Sequence, residues 1–173
     1  MEAVADAVTV VFDKTGTLTK ATPTVREVIP FEKESADEML RIAACLEEHF
    51  PHSMAKAVVD AAKKKGLEHE EMHSRVRYIV AHGIASEIDG KKVVIGSHHF
   101  VFEDEGCVIP EGGQVRFDQI SPAYSQLYLS VEGRLAAVIC IEDPLREEAA
   151  DVLRSLKTLG IRKLVMMTGD SEK

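Results

Sequence analysis

Cysteine is scarce in this sequence, and a long apolar run is missing. The three cysteines, Cys45, Cys107 and Cys140, are far apart, so neither a disulfide framework nor a CxxC zinc site is indicated. No stretch approaches the roughly 18 apolar residues that a membrane-spanning helix needs, and the opening MEAVADAVTVVF has no basic leader of the kind that begins a signal peptide. We therefore expect a soluble chain in a reducing, cytoplasmic setting, without direct membrane insertion.

An excess of basic charge is also missing. The 173 residues carry a formal net charge of −8, with acidic and basic residues interspersed. This balance argues against a protein that binds mainly nucleic acid or an anionic membrane surface. With 45% hydrophobic residues, the chain is long enough for one ordinary domain or two small ones, each with its own core.

The two ends of the chain have the pattern of a parallel sheet. Residues 7–12 and 163–167 are short apolar runs, typical of buried strands. Asp143-Pro144 is predicted to start a helix that runs to about Leu159. Because the carboxyl ends of parallel strands meet at one edge of a sheet, we expect Asp13 and Thr168, which follow the two strands, to face the same crevice.

The middle of the chain predicts an antiparallel α+β block. The predicted elements are an extended segment at 24–31, helices at 35–49 and 53–65, a hairpin from Val76 to Gly96 with its turn at Asp89-Gly90, and a hairpin at 126–141 with its turn at Glu132-Gly133. Residues 98–123 are predicted to be mostly loops. We infer an α/β and α+β fold, in which a Rossmann-type parallel sheet from 1–22 and 141–173 is interrupted by an inserted α+β domain at 23–140.

A carboxylate stands where the first strand ends, in the stretch DKTGTLT. An aspartate fixed at a strand end can attack an electrophile as a covalent nucleophile, and its acyl phosphate would be the intermediate of a phosphoryl transfer. Lys14, the hydroxyls of Thr15 and Thr17, and backbone amides freed by Gly16 could offset the phosphate charge, with a magnesium ion bridging phosphate and carboxylate. The pattern therefore favours phosphoryl transfer through Asp13.

Three motifs in this sequence resemble those of one family. DKTGTLT resembles the phosphorylation signature of the P-type ATPases, and MTGD, ending at Asp170, resembles the second phosphate-binding motif of their haloacid dehalogenase-like phosphorylation domain. DPLR, starting at Asp143, resembles the hinge of the same family. By this resemblance the chain is expected to be the cytoplasmic ATP-binding and phosphorylation region of an ATP-driven pump, which also needs an actuator domain and membrane helices as partners.

The resemblance assigns roles at the phosphorylation site. Asp13 is the residue that ATP phosphorylates, and it binds magnesium together with the backbone carbonyl of Thr15. Thr15 replaces the acid/base aspartate of related phosphatases, so the intermediate is expected to hydrolyse slowly. Thr168 holds the phosphate, with Gly169 and Asp170 beside it.

The resemblance also assigns a nucleotide site in the middle block. FPHSMAKAV places His52 at the histidine of the Ser-Glu-His-Pro-Leu-Ala stretch of heavy-metal-transporting members, where it orients ATP. The family's next glycine motifs correspond to Gly83 and to the pair Gly96 and Ser97. The Lys-Gly-Ala signature of the sodium, potassium and calcium pumps is missing, so a transition-metal pump is expected.

Other interpretations compete with this one. A haloacid dehalogenase-like phosphatase is disfavoured by Thr15, and a non-catalytic nucleotide-binding module stays open. His69 to His73 fit the HExxH pattern of zinc proteases, but the polar surroundings favour a solvent-exposed segment. Because the sequence stops soon after the TGD motif, we expect this chain alone to bind nucleotide without sustained turnover.

Overall fold

The computed structural model describes residues 7–50, 52–67, 77–79 and 83–167. The chain divides into two compact units. The terminal unit consists of Met1–Pro23 and Asp143–Lys173, and the inserted unit is Thr24–Glu142. The fold is mixed α/β with a parallel sheet and a separate antiparallel sheet, which confirms the predicted class. Within the described ranges, no helix has the length and apolar character needed to cross a membrane.

The elements follow one another in a simple order. They are β1 (Thr9–Asp13), β2 (Thr24–Pro30), α1 (Ala36–Glu47), α2 (Ser53–Lys64), β3 (Arg77–Ile79), β4 (Gly83–Ile88), β5 (Lys91–Gly96), α3 (Gln114–Asp118), β6 (Ser125–Val131), β7 (Arg134–Glu142), α4 (Ala149–Thr158) and β8 (Lys163–Met167). Wide helical turns occupy Lys14–Leu18 and His99–Asp104.

The terminal unit contains the two-stranded parallel sheet, in which β1 pairs with β8. The prediction that these strands are buried is wrong. Val11 is 52% exposed and Met166 is 54% exposed, because strand side chains project from the faces of the sheet and the described residues cover these two only in part. The register still sets the geometry of the edge, since Asp13 lies opposite Met167.

The helix predicted to start at Asp143 begins later. α4 starts at Ala149; the segment before it has an isolated bridge between Leu145 and Thr19, followed by a turn at Glu147 and Glu148. The physical reason is that the Asp143 carboxylate accepts hydrogen bonds from Thr19 and Thr22, which lie far away in the sequence. A local helix-start signal is therefore overridden by tertiary contacts.

The inserted unit is built on a six-stranded antiparallel sheet with the order β2-β7-β6-β5-β4-β3. Both predicted hairpins are present. Asp89 and Gly90 have positive φ angles of 51° and 75°, as the right-handed twist of a two-residue hairpin requires. The first hairpin was predicted as one strand from Val76 to Ile88, but Arg77–Ile79 pairs antiparallel with β4 as a separate strand.

Apolar side chains cover both faces of this sheet. Alternation along the strands separates them, so Val93 and Ile95 face α1 and α2 while Val94 faces the opposite side. Ser35 caps α1 by accepting a hydrogen bond from the Glu38 amide, as the sequence predicts. The opposite core surrounds Phe100, which is 1% exposed.

Close packing against Phe100 explains one glycine. A Cβ atom on Gly83 would lie 2.3 Å from Phe100 Cδ1 and 2.4 Å from the Ile95 carbonyl oxygen.

We predict that Gly83→Ala lowers the free energy of unfolding by about 1–3 kcal/mol through overpacking, measured by urea denaturation. The control is Gly90→Asn, because nothing lies near a Cβ at Gly90 and asparagine tolerates positive φ. Equal stability of the two variants would contradict this packing.

Candidate functional site

Asp13 ends β1 with its side chain exposed. The structure gives it no hydrogen bond or ion pair with any other described residue, so its carboxylate oxygens are available to a ligand. The prediction that Asp13 and Thr168 share an edge rests on β8, whose last residue, Met167, lies opposite Asp13. Thr168, Gly169 and Asp170 themselves lie outside the described residues, as does the HExxH segment.

A wide turn follows Asp13 and exposes the predicted phosphate-binding residues. Lys14 is half-buried, whereas Thr15, Gly16 and Thr17 are exposed. The turn is closed by the Thr19 amide, which donates to the Lys14 carbonyl oxygen at 3.1 Å. Gly16 has a φ of +78°, a conformation that glycine adopts without a steric penalty. We refer to Lys14–Leu18 as the Asp13 loop.

Thr19 ties the Asp13 loop to the other end of the chain. Its side-chain oxygen accepts a hydrogen bond from the Gly16 amide at 3.1 Å and donates to Asp143 Oδ2. The Thr22 amide donates to the second oxygen of Asp143 at 3.2 Å. Sequence reasoning identified DPLR as a hinge but missed this partner of Asp143, because the two residues are separated by 124 positions.

His52 and Glu47 form a second cluster, at the junction of α1 and α2. His52 is the N-cap of α2: its Nδ1 accepts the Ala55 amide hydrogen at 3.1 Å. In the neutral imidazole the proton then sits on Nε2, which lies 3.1 Å from Glu47 Oε2. Glu47 is only 3% exposed, so the two side chains meet out of water. The contact becomes an ion pair when His52 is protonated.

The two contacts of His52 have opposite effects on its pKa. The Glu47 carboxylate raises the pKa of His52, and desolvation lowers it by less. Protonation also places a hydrogen on Nδ1, so Nδ1 can no longer accept the Ala55 amide hydrogen and cap α2. The ion pair with a buried carboxylate is the stronger contact, so the net pKa is raised.

Glu47 was missed by sequence reasoning, although a signal was present. It lies three and four positions after Ala44 and Ala43, both fully buried, so it falls on the apolar face of α1. A charged residue on a core-facing helix stripe is unusual and is rarely fully buried without a partner. That pattern could have marked Glu47 as a candidate beside His52.

Gly83, Gly96 and Ser97 come together at one end of the β4–β5 pair. Gly83 and Gly96 are directly opposite each other, and Ser97 Oγ accepts the Phe100 amide hydrogen at 3.3 Å. Gly83 is also required by the Phe100 packing, and Ser97 caps the following turn. Each of these residues thus has a structural role of its own.

The described residues offer few groups for metal binding or for thiol chemistry. There, no group of three or more His, Cys, Asp or Glu side chains could hold a metal ion. The exposed Asp13 carboxylate fits magnesium, which takes oxygen ligands and is usually held by one or two carboxylates together with phosphate and water. Burial raises the pKa of Cys107 and Cys140 to about 11, so their thiols stay protonated.

We predict that the buried hydroxyl of Thr19 stabilises the terminal unit. Thr19→Val keeps the side-chain shape but leaves Asp143 Oδ2 and the Gly16 amide without this partner, which should cost about 1–3 kcal/mol. Thr19→Ser keeps the hydroxyl and serves as the control. Thermal unfolding measures both, and a valine variant as stable as the serine variant would contradict the role of this hydrogen bond.

We also predict that Glu47→Gln lowers the pKa of His52, measured by NMR titration of its Cε1 proton, with His99 as internal reference. Because the pKa is raised on folding, the ion pair stabilises the protein fully below the ordinary value of 6.5. This contribution is lost as the pH rises through the raised value. An unchanged His52 titration in the glutamine variant would show that the carboxylate does not act on it.

Comparison with known proteins places the chain in a family. Residues 8–173 match the family model described as haloacid dehalogenase-like hydrolase. Copper-transporting ATPase 2 of Rhizobium meliloti is 33% identical over 177 residues, covering 97% of this chain and 20% of the relative. The chain thus spans about a fifth of the length of that relative.

Two structures extend the comparison. A zinc-transporting PIB-type ATPase in the E2.Pi state has a TM-score of 0.70 at 27% identity, covering 98% of this chain and 27% of the other. The catalytic domain of the CPx-ATPase CopB-B, studied for its conformational changes upon nucleotide binding, has a TM-score of 0.69 at 25% identity, covering 99% of this chain and 56% of the other. The predicted resemblance to the catalytic region of heavy-metal P-type ATPases is confirmed, and the chain belongs to the haloacid dehalogenase-like hydrolase family.

Proposed function

We propose that this chain is the ATP-binding and phosphorylation region of an ATP-driven heavy-metal transporter. In this proposal residues 1–22 and 141–173 form the phosphorylation domain and 23–140 the nucleotide-binding domain. The observation that carries the proposal is Asp13, an exposed carboxylate at the end of a parallel strand, followed by a turn of exposed hydroxyl residues. The relatives named as copper-transporting and zinc-transporting ATPases support it.

The reaction at Asp13 would be a direct phosphoryl transfer. A carboxylate oxygen of Asp13 bonds to the γ-phosphorus of ATP while the bond to the bridging oxygen breaks, and that electron pair leaves with ADP. The nucleophile needs no general base, because the attacking atom is a carboxylate oxygen. Lys14 and the hydroxyls of Thr15 and Thr17 donate to the phosphate oxygens. Thr168, Gly169 and Asp170, which follow β8 in the sequence, complete the proposed phosphate site.

Magnesium would be held by the Asp13 carboxylate and the Thr15 carbonyl oxygen, and when bound it neutralises phosphate charge. The Thr15 hydroxyl is too weak an acid to protonate a leaving group and too weak a base to activate water. The aspartyl phosphate would consequently persist until another domain assists its hydrolysis. In this proposal the actuator domain and the membrane helices are the partners, and the metal ion is the transported substrate.

The nucleotide would bind at the inserted unit. Glu47 at the end of α1 and His52 at the start of α2 offer a carboxylate and an imidazole, and Gly83 and Gly96 lie opposite each other at one end of β4 and β5. Ser97 adds a hydroxyl at the same strand end. A helix N-terminus also favours anions, which suits a phosphate-bearing ligand beside His52.

We predict that replacing His52 weakens ATP binding, whereas replacing Asp13 leaves ATP binding unchanged. Calorimetric ATP titration of His52→Asn should show at least about tenfold weaker binding, whereas Asp13→Asn should bind as the wild type does. His52→Asn is preferred to His52→Ala because asparagine retains an N-cap acceptor for α2. His99→Ala, a surface histidine replacement in the same unit, is the control.

Three outcomes would contradict parts of the proposal. Unchanged ATP binding in His52→Asn would remove His52 from the nucleotide site. Phosphatase activity on a generic phosphomonoester would favour the haloacid dehalogenase-like phosphatase instead. ATP binding without hydroxylamine-sensitive labelling of Asp13 would favour a non-catalytic nucleotide-binding module.

A further inference from the structure

The segment Asp143–Glu147 lies along the residues that follow Asp13. The Lys20 amide donates to the Pro144 carbonyl oxygen at 2.9 Å, and the Lys20 ammonium contacts Glu147 at 3.1 Å. Arg146 contacts the Asp13 loop through its backbone: its amide donates to the Leu18 carbonyl oxygen at 2.9 Å. The segment therefore contacts the loop at its closing end.

The side chain of Arg146 contacts the centre of the same loop. Its guanidinium Nη2 donates to the Gly16 carbonyl oxygen at 3.1 Å, and Nη1 lies 3.9 Å from Glu148 Oε1. The Gly16 amide donates to Thr19 Oγ1. Both peptide groups of Gly16 are thus held, one by Thr19 and the other by Arg146.

Holding both peptides matters because the residue is glycine. At a φ of +78°, Gly16 can exchange with other backbone conformations more freely than any residue with a Cβ atom. Among the described residues a Cβ at this position would meet only Ala21 Cβ, at 3.8 Å, so packing by those residues does not fix the loop. Its conformation depends on hydrogen bonds, and Arg146 supplies the one at the Gly16–Thr17 peptide.

Arg146 is not placed to stabilise the fold as a whole. Its side chain is 42% exposed, and the Gly16 carbonyl oxygen would be solvated if the guanidinium were removed. Exposed pairs of this kind contribute about 0–1 kcal/mol. The structure therefore separates a local effect on the loop from a global effect on stability.

We propose that Arg146 is a positioning residue for Asp13. By binding the Gly16 carbonyl oxygen it keeps the Asp13 loop in the one conformation that presents Asp13, Thr15 and Thr17 together at the end of β1. The inference rests on the proposed function in so far as the loop serves phosphoryl transfer. It assigns to the last residue of DPLR a contact with the nucleophile's own loop.

The test compares Arg146→Gln, Arg146→Lys and Arg154→Gln in the full chain. Arg154 lies on α4 of the same unit and pairs with Asp151 on the surface, so its replacement matches the loss of charge without touching the loop. Native-state hydrogen exchange of the Thr19 amide, which closes the loop onto Lys14, reports local opening. We expect about tenfold faster exchange in Arg146→Gln, since one hydrogen bond is lost, partial recovery in Arg146→Lys, and no change in Arg154→Gln.

Two further readouts separate positioning from general damage. The midpoint of thermal unfolding of Arg146→Gln should stay within about 3 °C of the wild type, and exchange of the β1 amides should not change. Where Asp13 is labelled by ATP, the rate at saturating ATP should fall about tenfold while the ATP dissociation constant stays the same.

The outcomes distinguish this inference from the proposed function. Thr19 exchange in Arg146→Gln equal to that in Arg154→Gln would overturn the positioning role. Faster exchange in β1 as well as at Thr19 would also overturn it, because the effect would then be global. If wild-type Asp13 accepts no phosphate, phosphoryl transfer fails as the function, and the exchange data still decide whether Arg146 sets the loop.

Discussion

The chain segment that leaves the terminal unit is paired with the segment that returns to it. This one constraint underlies the other features. On the inserted side, Thr24 lies opposite Glu142 as β2 pairs with β7. On the terminal side, the neighbouring Asp143 receives hydrogen bonds from Thr19 and Thr22. An insertion is compatible with a parallel sheet only if its two ends come close together, and here side-chain and backbone hydrogen bonds hold both ends. The Asp143 contact also holds Thr19, whose hydroxyl oxygen accepts the Gly16 amide hydrogen in the Asp13 loop.

Patterns that depend on near neighbours were predictable from the sequence, and those that depend on distant partners were not. The cap at Ser35 and the Asp89-Gly90 turn follow from local backbone chemistry, and both are present. The helix start predicted at Asp143 is wrong because that carboxylate binds Thr19 instead of capping a helix. The separate strand at Arg77–Ile79 was missed since an apolar run does not reveal where the chain reverses. The same limit applies to the site: Asp13 and its loop could be located by motif, whereas the contact of Arg146 with Gly16 required the fold.

Burial of Glu47 is a costly feature of the inserted unit. Taking a carboxylate out of water costs several kcal/mol unless charge and hydrogen bonds compensate for it. His52 Nε2 lies 3.1 Å from Oε2, so the protonated imidazole supplies compensating charge. The pair therefore links the end of α1 to the start of α2.

The candidate binding residues of the inserted unit differ in how far the fold alone requires them. Gly83 is required by its contact with Phe100, and Ser97 is occupied as the acceptor for the Phe100 amide. Both would be retained in a protein that never bound nucleotide, so their presence adds little to the functional argument. Glu47 and His52 are different, because burying a carboxylate has a desolvation cost and the imidazole beside it is half-exposed. The proposal of nucleotide binding in the inserted unit therefore depends chiefly on this pair.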